Sequence, residues 1–372
     1  MTSWRTLIRR FAVLGLTGFG GPPAHLASLR KTWIDSGEIA SSEFEDALAS
    51  ASLLPGPTST QMAMWVGWRQ RGTAGASVAA LLFITPAVLL VTALAIGLYS
   101  NKEWGHWIMK GATGATWMMP AIVLTTTWSL IPPAMKSQLR ITRTSVESRW
   151  FFAWFLFAAV AEQFRSVNPL LVIVFAGAVM MFRGRSKDLD ARPALLWSAW
   201  SVTPSVAGLA LKIGLLSVGG GLVIVPIMRA DAVVAHHWMS QQDFIVAVAL
   251  GQLTPGPVFS TIAAIGYFAA GLPGAAIGAL LAFLPSYLAV VTLAPQLDRL
   301  RANPGVRRFF AGALPASTGL ILGTLPLFAV SIHQWVGGAI ALVALVDLAT
   351  KRVPVALVLL GGVVAGLLLA HP

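Results

Sequence analysis

The sequence contains no cysteine. That removes disulfides, thiolate metal sites and cysteine nucleophiles together. Charge is also scarce: 11% of the 372 residues are Asp, Glu, Lys or Arg, against about 25% in a soluble domain. Carboxylates are the rarer sign, 14 against 26 basic residues, for a net charge of +12. There is no His-Glu-x-x-His, no nucleotide-phosphate loop and no pair of intramembrane aspartates, and the six histidines assemble no Ser/His/Asp set. An enzyme, a metal site and a cofactor are therefore not expected. ATP-driven transport would need a partner chain to supply the missing nucleotide loop.

What is abundant is apolar: 56% of the residues are hydrophobic. A soluble core cannot bury that much surface, whereas a bilayer solvates it directly. Ala74–Leu98, Ile108–Ile131, Ala247–Phe268, Gly274–Pro295 and Phe309–Val330 each reach the roughly 20 residues that a membrane helix needs. None alternates like a barrel strand, so the spans are helices. The expected fold class is an all-α integral membrane protein, a polytopic bundle of about twelve or thirteen membrane segments.

The positive charge sits in short loops: Arg69/Arg71, Lys136/Arg140/Arg143/Arg149, Arg183/Arg185/Lys187/Arg192, Arg299/Arg301/Arg307/Arg308 and Lys351/Arg352. This is the positive-inside pattern, and it argues against nucleic acid as a partner. Trp65, Trp68, Trp104, Trp107, Trp150 and Trp335 lie near span ends, as an aromatic belt requires. The basic N-terminal stretch runs into Gly-Gly-Pro-Pro instead of a cleavage site, so no cleavable signal is expected.

The chain repeats itself. Gly20-Gly21 recurs as Gly219-Gly220, Arg30 as Arg229, Glu43-Phe44 as Asp243-Phe244, and Pro55-Gly56-Pro57 as Pro255-Gly256-Pro257. Gly72, Gly75 and Pro86 recur as Gly271, Gly274 and Pro285, and Gly111-Ala112 as Gly312-Ala313. So many matches in order indicate a duplication. Equivalent loops differ in charge. Arg69 and Arg71 make the first basic where the loop near Gly271 is uncharged, and the next loop reverses this, with Lys102 and Glu103 cancelling against a basic Arg299–Arg308. The repeats are therefore expected to be inverted in the membrane. The expected division is 1–149 for the first repeat core, 150–192 for short spans and a basic linker, and 193–372 for the second repeat.

Each half interrupts an apolar stretch with Pro-Gly-Pro. Proline inside a continuous helix would cost about 3 kcal/mol or more, so the chain breaks and restarts with the second proline in its first turn. The new helix N-terminus points amides, hydroxyls and the positive dipole end into the gap, which suits an anion. Candidate substrate-binding residues are Gly56, Thr58, Ser59, Thr60 and Gln61 in the first half and Gly256, Ser260 and Thr261 in the second. The hydroxyls could instead be satisfied by their own backbone. The glycine pairs Gly20, Gly21 and Gly219, Gly220, with Arg30 and Arg229 at the same spacing, form a second symmetric set able to hold an oxyanion in arginine forks. Close packing and snorkelling are the plainer uses of such residues. His25 occurs in the first copy only and is a candidate for substrate contact or proton relay. Glu43 and Asp243 are candidates for carrying a coupling proton, or simply helix-start charges.

Gly18-Phe19-Gly20-Gly21-Pro22-Pro23-Ala24-His25, Leu54-Pro55-Gly56-Pro57, Ser217-Val218-Gly219-Gly220-Gly221 and Thr254-Pro255-Gly256-Pro257 resemble the chromate ion transporter family in its long two-domain form, over essentially the whole chain. The resemblance implies an inner-membrane protein that exports chromate, driven by the proton gradient, with sulfate as the look-alike oxyanion. The second half reads Gly219-Gly220-Gly221-Leu222 where the first reads Gly20-Gly21-Pro22-Pro23, so the halves need not contribute equally. Expected partners are the oxyanion and the lipid bilayer, with a homodimer left open. A passive anion channel on the same architecture, or a carrier of another oxyanion such as sulfate, is the alternative reading.

Overall fold

The computed structural model describes residues 2–51, 54, 56–100, 102–142, 145–164, 167–183, 206–217, 221–293, 303–330, 332, 335–350 and 353–369. The Gly219-Gly220 pair and the basic residues Arg143, Arg185, Lys187, Arg192, Arg299, Arg301, Lys351 and Arg352 lie outside the described residues. The described chain is helical: α1 (Trp4–Thr17), α2 (Gly21–Trp33), α3 (Ser41–Ala51), α4 (Thr58–Ser100), α5 (Lys102–Thr142), α6 (Ser145–Ala161) and α7 (Pro169–Arg183). The second half follows with α8 (Val206–Leu216), α9 (Ile224–Arg229, extended by a π-helical turn Ala230–Ala235), α10 (Gln241–Leu253), α11 (Thr261–Leu293), α12 (Pro304–Gly323), α13 (Leu325–Ala329), α14 (Trp335–Thr350) and α15 (Val355–Leu369).

Local chemistry sets several helix starts. The Ser3 side chain accepts from the Thr6 amide at the start of α1. Ser240 and Asp243 form a reciprocal capping box on α10, and Asn303 caps α12 ahead of Pro304. Helix α1 then turns Leu7, Phe11 and Leu14 inward at helical spacing. They join Leu29, Trp33, Phe44, Met62 and Val66 in a core built mostly from the first half, with Val290 of α11 added.

Several helices are too short to cross a bilayer. Helices α2 and α10 have 13 residues and α3 has 11, so they reach about 16–20 Å at the helical rise, against a core of about 30 Å. They are limbs of hairpins. Thr2 bonds Gln70 and Glu38, Arg10 pairs with Glu38 at 2.7 Å, and Arg69 pairs with Glu43 at 2.5 Å. The start of α1, the end of α2, the start of α3 and residues 69–71 of α4 thus share one base. Both chain reversals, at Gly18–Gly21 and at the Pro-Gly-Pro, point away from it. The apolar stretch Ala247–Phe268, expected as one span, is likewise broken: α10 stops at Leu253 and α11 starts at Thr261.

Helices α4 and α11 are each two arms joined by a sharp reversal. Arg71 (φ −145°, ψ 24°) and Gly72 (φ 61°, ψ −151°) match Ala270 (φ −152°, ψ 25°) and Gly271 (φ 63°, ψ −153°) within a few degrees. A positive φ with ψ near −150° is open to glycine alone, which explains a glycine at both places. The arms then pack backbone to backbone. A Cβ on Gly67 would lie 2.3 Å from the Gly75 carbonyl oxygen, and one on Gly266 would lie 2.3 Å from that of Gly274. The second arms, beginning at Thr73 and Leu272, run on for roughly 30–40 Å and are long enough to cross.

Among the described residues, three helices are long and apolar enough to span: Thr58–Leu98 and Val258–Thr292, both through their second arms, and Pro304–Ala329. The second arms of α4 and α11 have greasy outward faces, with Leu81 64% and Leu280 66% exposed, as lipid contact allows, whereas Pro304–Ala329 is mostly buried. Trp335 and Trp107 are exposed at interface-like positions, but Trp65 is packed inside the first half's core and is not a belt residue. Helix α5 packs on α14 and α15, where Gly114 meets Gly362 and Gly366, and α12 packs on α6 and α7 through Gly319 and Gly312.

Gly67→Val and Gly266→Val should each lower the thermal unfolding midpoint of the detergent-solubilised protein, at a cost of about 1–3 kcal/mol from overpacking. Gly338→Ala, whose added Cβ meets nothing within 4 Å, should leave the midpoint unchanged.

Candidate functional site

The interrupted helices meet at their tips, and the meeting is reciprocal. The Gly256 amide donates to the Gly18 carbonyl at 2.8 Å, and the Gly56 amide donates to the Ser217 carbonyl at 2.9 Å. Gly18 and Ser217 are equivalent in the duplication, as are Gly56 and Gly256. Each Pro-Gly-Pro tip is thus held by the other half. Gly56 (φ 114°) and Gly256 (φ 106°) adopt backbone conformations that aim their amides across the gap. There is no room for a side chain: a Cβ on Gly56 would lie 1.8 Å from Ser286 Oγ.

Polar side chains collect here. Ser59, Thr60, Gln61, Ser217, Thr254, Ser260, Thr261 and Ser286 are all buried, Thr58 partly so. The Thr60 and Gln61 amides return to the Pro57 carbonyl, as does the Ser260 amide to Pro257, which winds each new helix. Thr254 Oγ1 donates to Gly251 and Thr261 Oγ1 to Val258, so these two hydroxyls are satisfied by their own backbone. Among the described residues, the Thr60, Ser217 and Ser260 hydroxyls have no hydrogen-bond partner although fully enclosed. A buried hydroxyl without a partner costs roughly 1–3 kcal/mol, and three beside two helix N-termini make a set of donors awaiting an acceptor. His25 is also here, with no exposed surface. Its Nε2 is 2.7 Å from the Gly18 carbonyl and its Nδ1 is 3.2 Å from Ser59 Oγ.

The structure does not bring the other expected residues to this centre. Gly20 and Gly21, both at positive φ, form the reversal between α1 and α2. Arg30 lies about 13 Å along α2 from that reversal at the helical rise, half exposed, ion-paired with Glu45 and stacked over Phe44. Arg229 closes α9, eight residues after Gly221, donating to Gln241 at 3.3 Å and ion-paired with Glu162 at 3.6 Å. Both arginines brace the return limb of one hairpin to the outgoing limb of the next, α2 to α3 and α9 to α10. Glu43 sits on the exposed base, paired with Arg69, and Asp243 caps α10.

Sequence reasoning passed over Ser217 and Gly18 as bonding partners, although the repeat offset aligns them. It also passed over Ser286, next to the matched Pro285, and a charge pair in the second half: Lys212 and Asp231 lie 2.6 Å apart, largely shielded from solvent. Val13 and Thr32 occupy the equivalent places in the first half, so the duplication gave no signal for it.

A multi-pass helical membrane protein with half-length hairpins meeting tip to tip around unpartnered donors is built as a transporter rather than an enzyme. The sequence profile of the chromate transporter family matches residues 5–181 and 205–367. The chain belongs to that family, in its long form. It is 29% identical to a chromate transport protein of Cupriavidus metallidurans, over 99% of this chain and 93% of that one. It is 27% identical to a probable chromate transport protein of Synechococcus elongatus, over 98% of this chain and 95% of that one. The uncharacterized transporter YwrB of Bacillus subtilis is 30% identical over 50% of this chain but 90% of its own length, so this relative matches about half of the chain. No solved structure matches the chain.

Asp231→Asn leaves the Lys212 ammonium shielded and unpaired, and should destabilise the folded protein by about 3 kcal/mol. Replacing both, Lys212→Met with Asp231→Leu, should recover most of the loss. Thermal unfolding of the purified variants in one detergent checks both outcomes.

Proposed function

We propose that this chain is a secondary active transporter that exports chromate, or a sulfate-like tetrahedral dianion, across the inner membrane by proton-coupled alternating access. The observation that carries the reading is the pair of reciprocal tip bonds, Gly256 to Gly18 and Gly56 to Ser217, surrounded by buried hydroxyls without partners. A tetrahedral dianion offers only acceptors, and the tips offer donors: the Thr60, Ser217 and Ser260 hydroxyls and the first amides of two helices. Opposed helix N-termini add the positive ends of two dipoles. In this reading Thr58, Ser59, Thr60, Gln61 and Ser260 hold the ion, Thr261 spends its donors on its own turn, and Gly56 and Gly256 let the backbones approach it. Arg30 and Arg229, a dozen ångströms outward, attract it along the approach.

The two halves are proposed to be inverted repeats, divided at 149 and 192. Two findings support inversion. Each Pro-Gly-Pro tip donates its bond to the other half, as a two-fold axis requires. Ser77, early in the second arm of α4, bonds Tyr287, late in the equivalent arm of α11, at 2.7 Å; equivalent helices paired early against late run antiparallel. Alternating access then becomes a rocking of one half against the other about the tips.

Everted membrane vesicles should accumulate radiolabelled chromate above equilibrium, with excess sulfate competing and an uncoupler abolishing the accumulation. Uptake that stops at equilibrium would identify a channel instead. Ser260→Ala or Thr60→Ala removes one hydrogen bond to a charged acceptor, about 1.5 kcal/mol or more, and should raise the half-saturating concentration roughly tenfold. For inversion, the cysteine-free chain permits a clean test. Thr73→Cys and Leu272→Cys, at equivalent exposed hairpin ends, should react with a membrane-impermeant maleimide from opposite faces; labelling from one face would refute the inverted arrangement.

A further inference from the structure

The site proposed above leaves one electrostatic difficulty. A dianion held at bilayer depth by neutral donors loses its hydration without gaining a counter-charge, and such uncompensated charge is costly. Segments 11–24, 54–68 and 76–98, which build the first half's tips, contain no charged residue. The arginines are too far away to compensate the ion. His25 is the exception among the described residues: a fully enclosed group at the tips that can acquire positive charge.

Its hydrogen bonds define what that charge would do. The Gly18 carbonyl can only accept, so Nε2 carries the hydrogen of that 2.7 Å bond. In the neutral ring Nδ1 is therefore an acceptor, and Ser59 Oγ must spend its own hydrogen on it at 3.2 Å. A proton added at Nδ1 reverses the bond: Nδ1–H donates to Ser59 Oγ, and the Ser59 hydrogen is released to donate elsewhere. Ser59 stands in the first turn of α4, beside the unpartnered Thr60 hydroxyl. The remaining wall of the ring is neutral, with Phe83 edge-on at 5.0 Å and no ion pair formed by His25 among the described residues. The same Gly18 carbonyl accepts the Gly256 amide from the other half. The ring is thus linked to both sides of the tip contact.

We infer that His25 is the proton-binding positioning residue of the transport site: it takes up one proton when the oxyanion binds, and through Ser59 turns that proton into a donor and a counter-charge for the ion. Proton and dianion then favour one another's binding and occupy the same state, so they leave together as a species of net charge −1, and the membrane potential rather than the pH difference drives the export. The equivalent position in the second half is Ile224, so one proton accompanies each ion. The inference rests on the transport reading above. It assigns the proton to the tips and not to Glu43 or Asp243, which lie at the exposed hairpin base and at a helix cap.

The test uses the full chain in proteoliposomes holding an internal pH dye, at alkaline pH where chromate is wholly the dianion. Radiolabelled chromate flux and internal pH are recorded together. In the unaltered protein, inward chromate flux should acidify the interior. His25→Asn should still exchange labelled for unlabelled chromate across the membrane, with weakened affinity, while the acidification is lost. Ser59→Ala should behave as His25→Asn does, and Ser59→Thr should restore the acidification. Full acidification in His25→Asn, or protons moving against chromate in the unaltered protein, would overturn the inference and leave the transport reading standing. Absence of any chromate flux in the unaltered protein would remove that reading and the inference with it. If His25→Asn elutes as aggregate on gel filtration, Ser59→Ala decides: unchanged proton movement there rejects the role assigned to the ring.

Discussion

A backbone amide or carbonyl at bilayer depth has no water to bond, and each one left unpaired costs several kcal/mol. A chain that stops its helices half-way across must therefore find partners for the exposed groups somewhere else in the fold. Here the partners come from the other half. Gly56 and Gly256, the middle residues of the two Pro-Gly-Pro tips, donate to the Ser217 and Gly18 carbonyls of the opposite repeat. Much of the remaining architecture serves this exchange. Half-length limbs bring the tips to the middle, salt bridges tie the limbs at their base, and glycine contacts such as Gly15 against Leu82 and Gly214 against Ala282 let the hairpins lie close on the second arms.

The same constraint leaves the tips rich in donors. A helix restarting after proline uses its carbonyls at once, but its first amides and hydroxyls have nothing behind them to bond. The local bonds of Thr254 and Thr261 show one way of closing that account, and the open hydroxyls of Thr60, Ser217 and Ser260 show where it was not closed. Donors held without acceptors in an enclosed, low-dielectric place are stabilised when an acceptor-only ion arrives. That makes a polar defect of the fold the seat proposed for the ion.

Symmetry is not complete, and its departures are informative. The hairpin reversals at Gly72 and Gly271 agree to within a few degrees, because only one backbone path turns two packed arms so tightly. Arg30 and Arg229 repeat, as do Glu43 and Asp243, but other ionisable residues do not. His25 faces Ile224 across the duplication, and the Lys212–Asp231 pair faces Val13 and Thr32. A duplicated frame thus carries unequal charge: a histidine at the tip in one half, a buried ion pair on the limbs in the other.

Composition alone determined that the chain lives in a bilayer and folds as helices, because 56% apolar residues with 11% charged leave no other solvent for it. The repeat offset, the two broken segments and the glycines at the tight reversals were also legible, since proline and glycine act through local backbone geometry. Tertiary structure decided the rest. Hydropathy read Ala247–Phe268 as one span because both limbs are greasy, and it placed Trp65 at an interface when it is core. Only the packed chain reveals that a Pro-Gly-Pro amide bonds the opposite half, that Arg30 and Arg229 brace limbs away from the tips, and that His25 meets Ser59. These are contacts between residues far apart in sequence, set by which limb faces which, and no pattern of polarity along one segment records the identity of a distant partner.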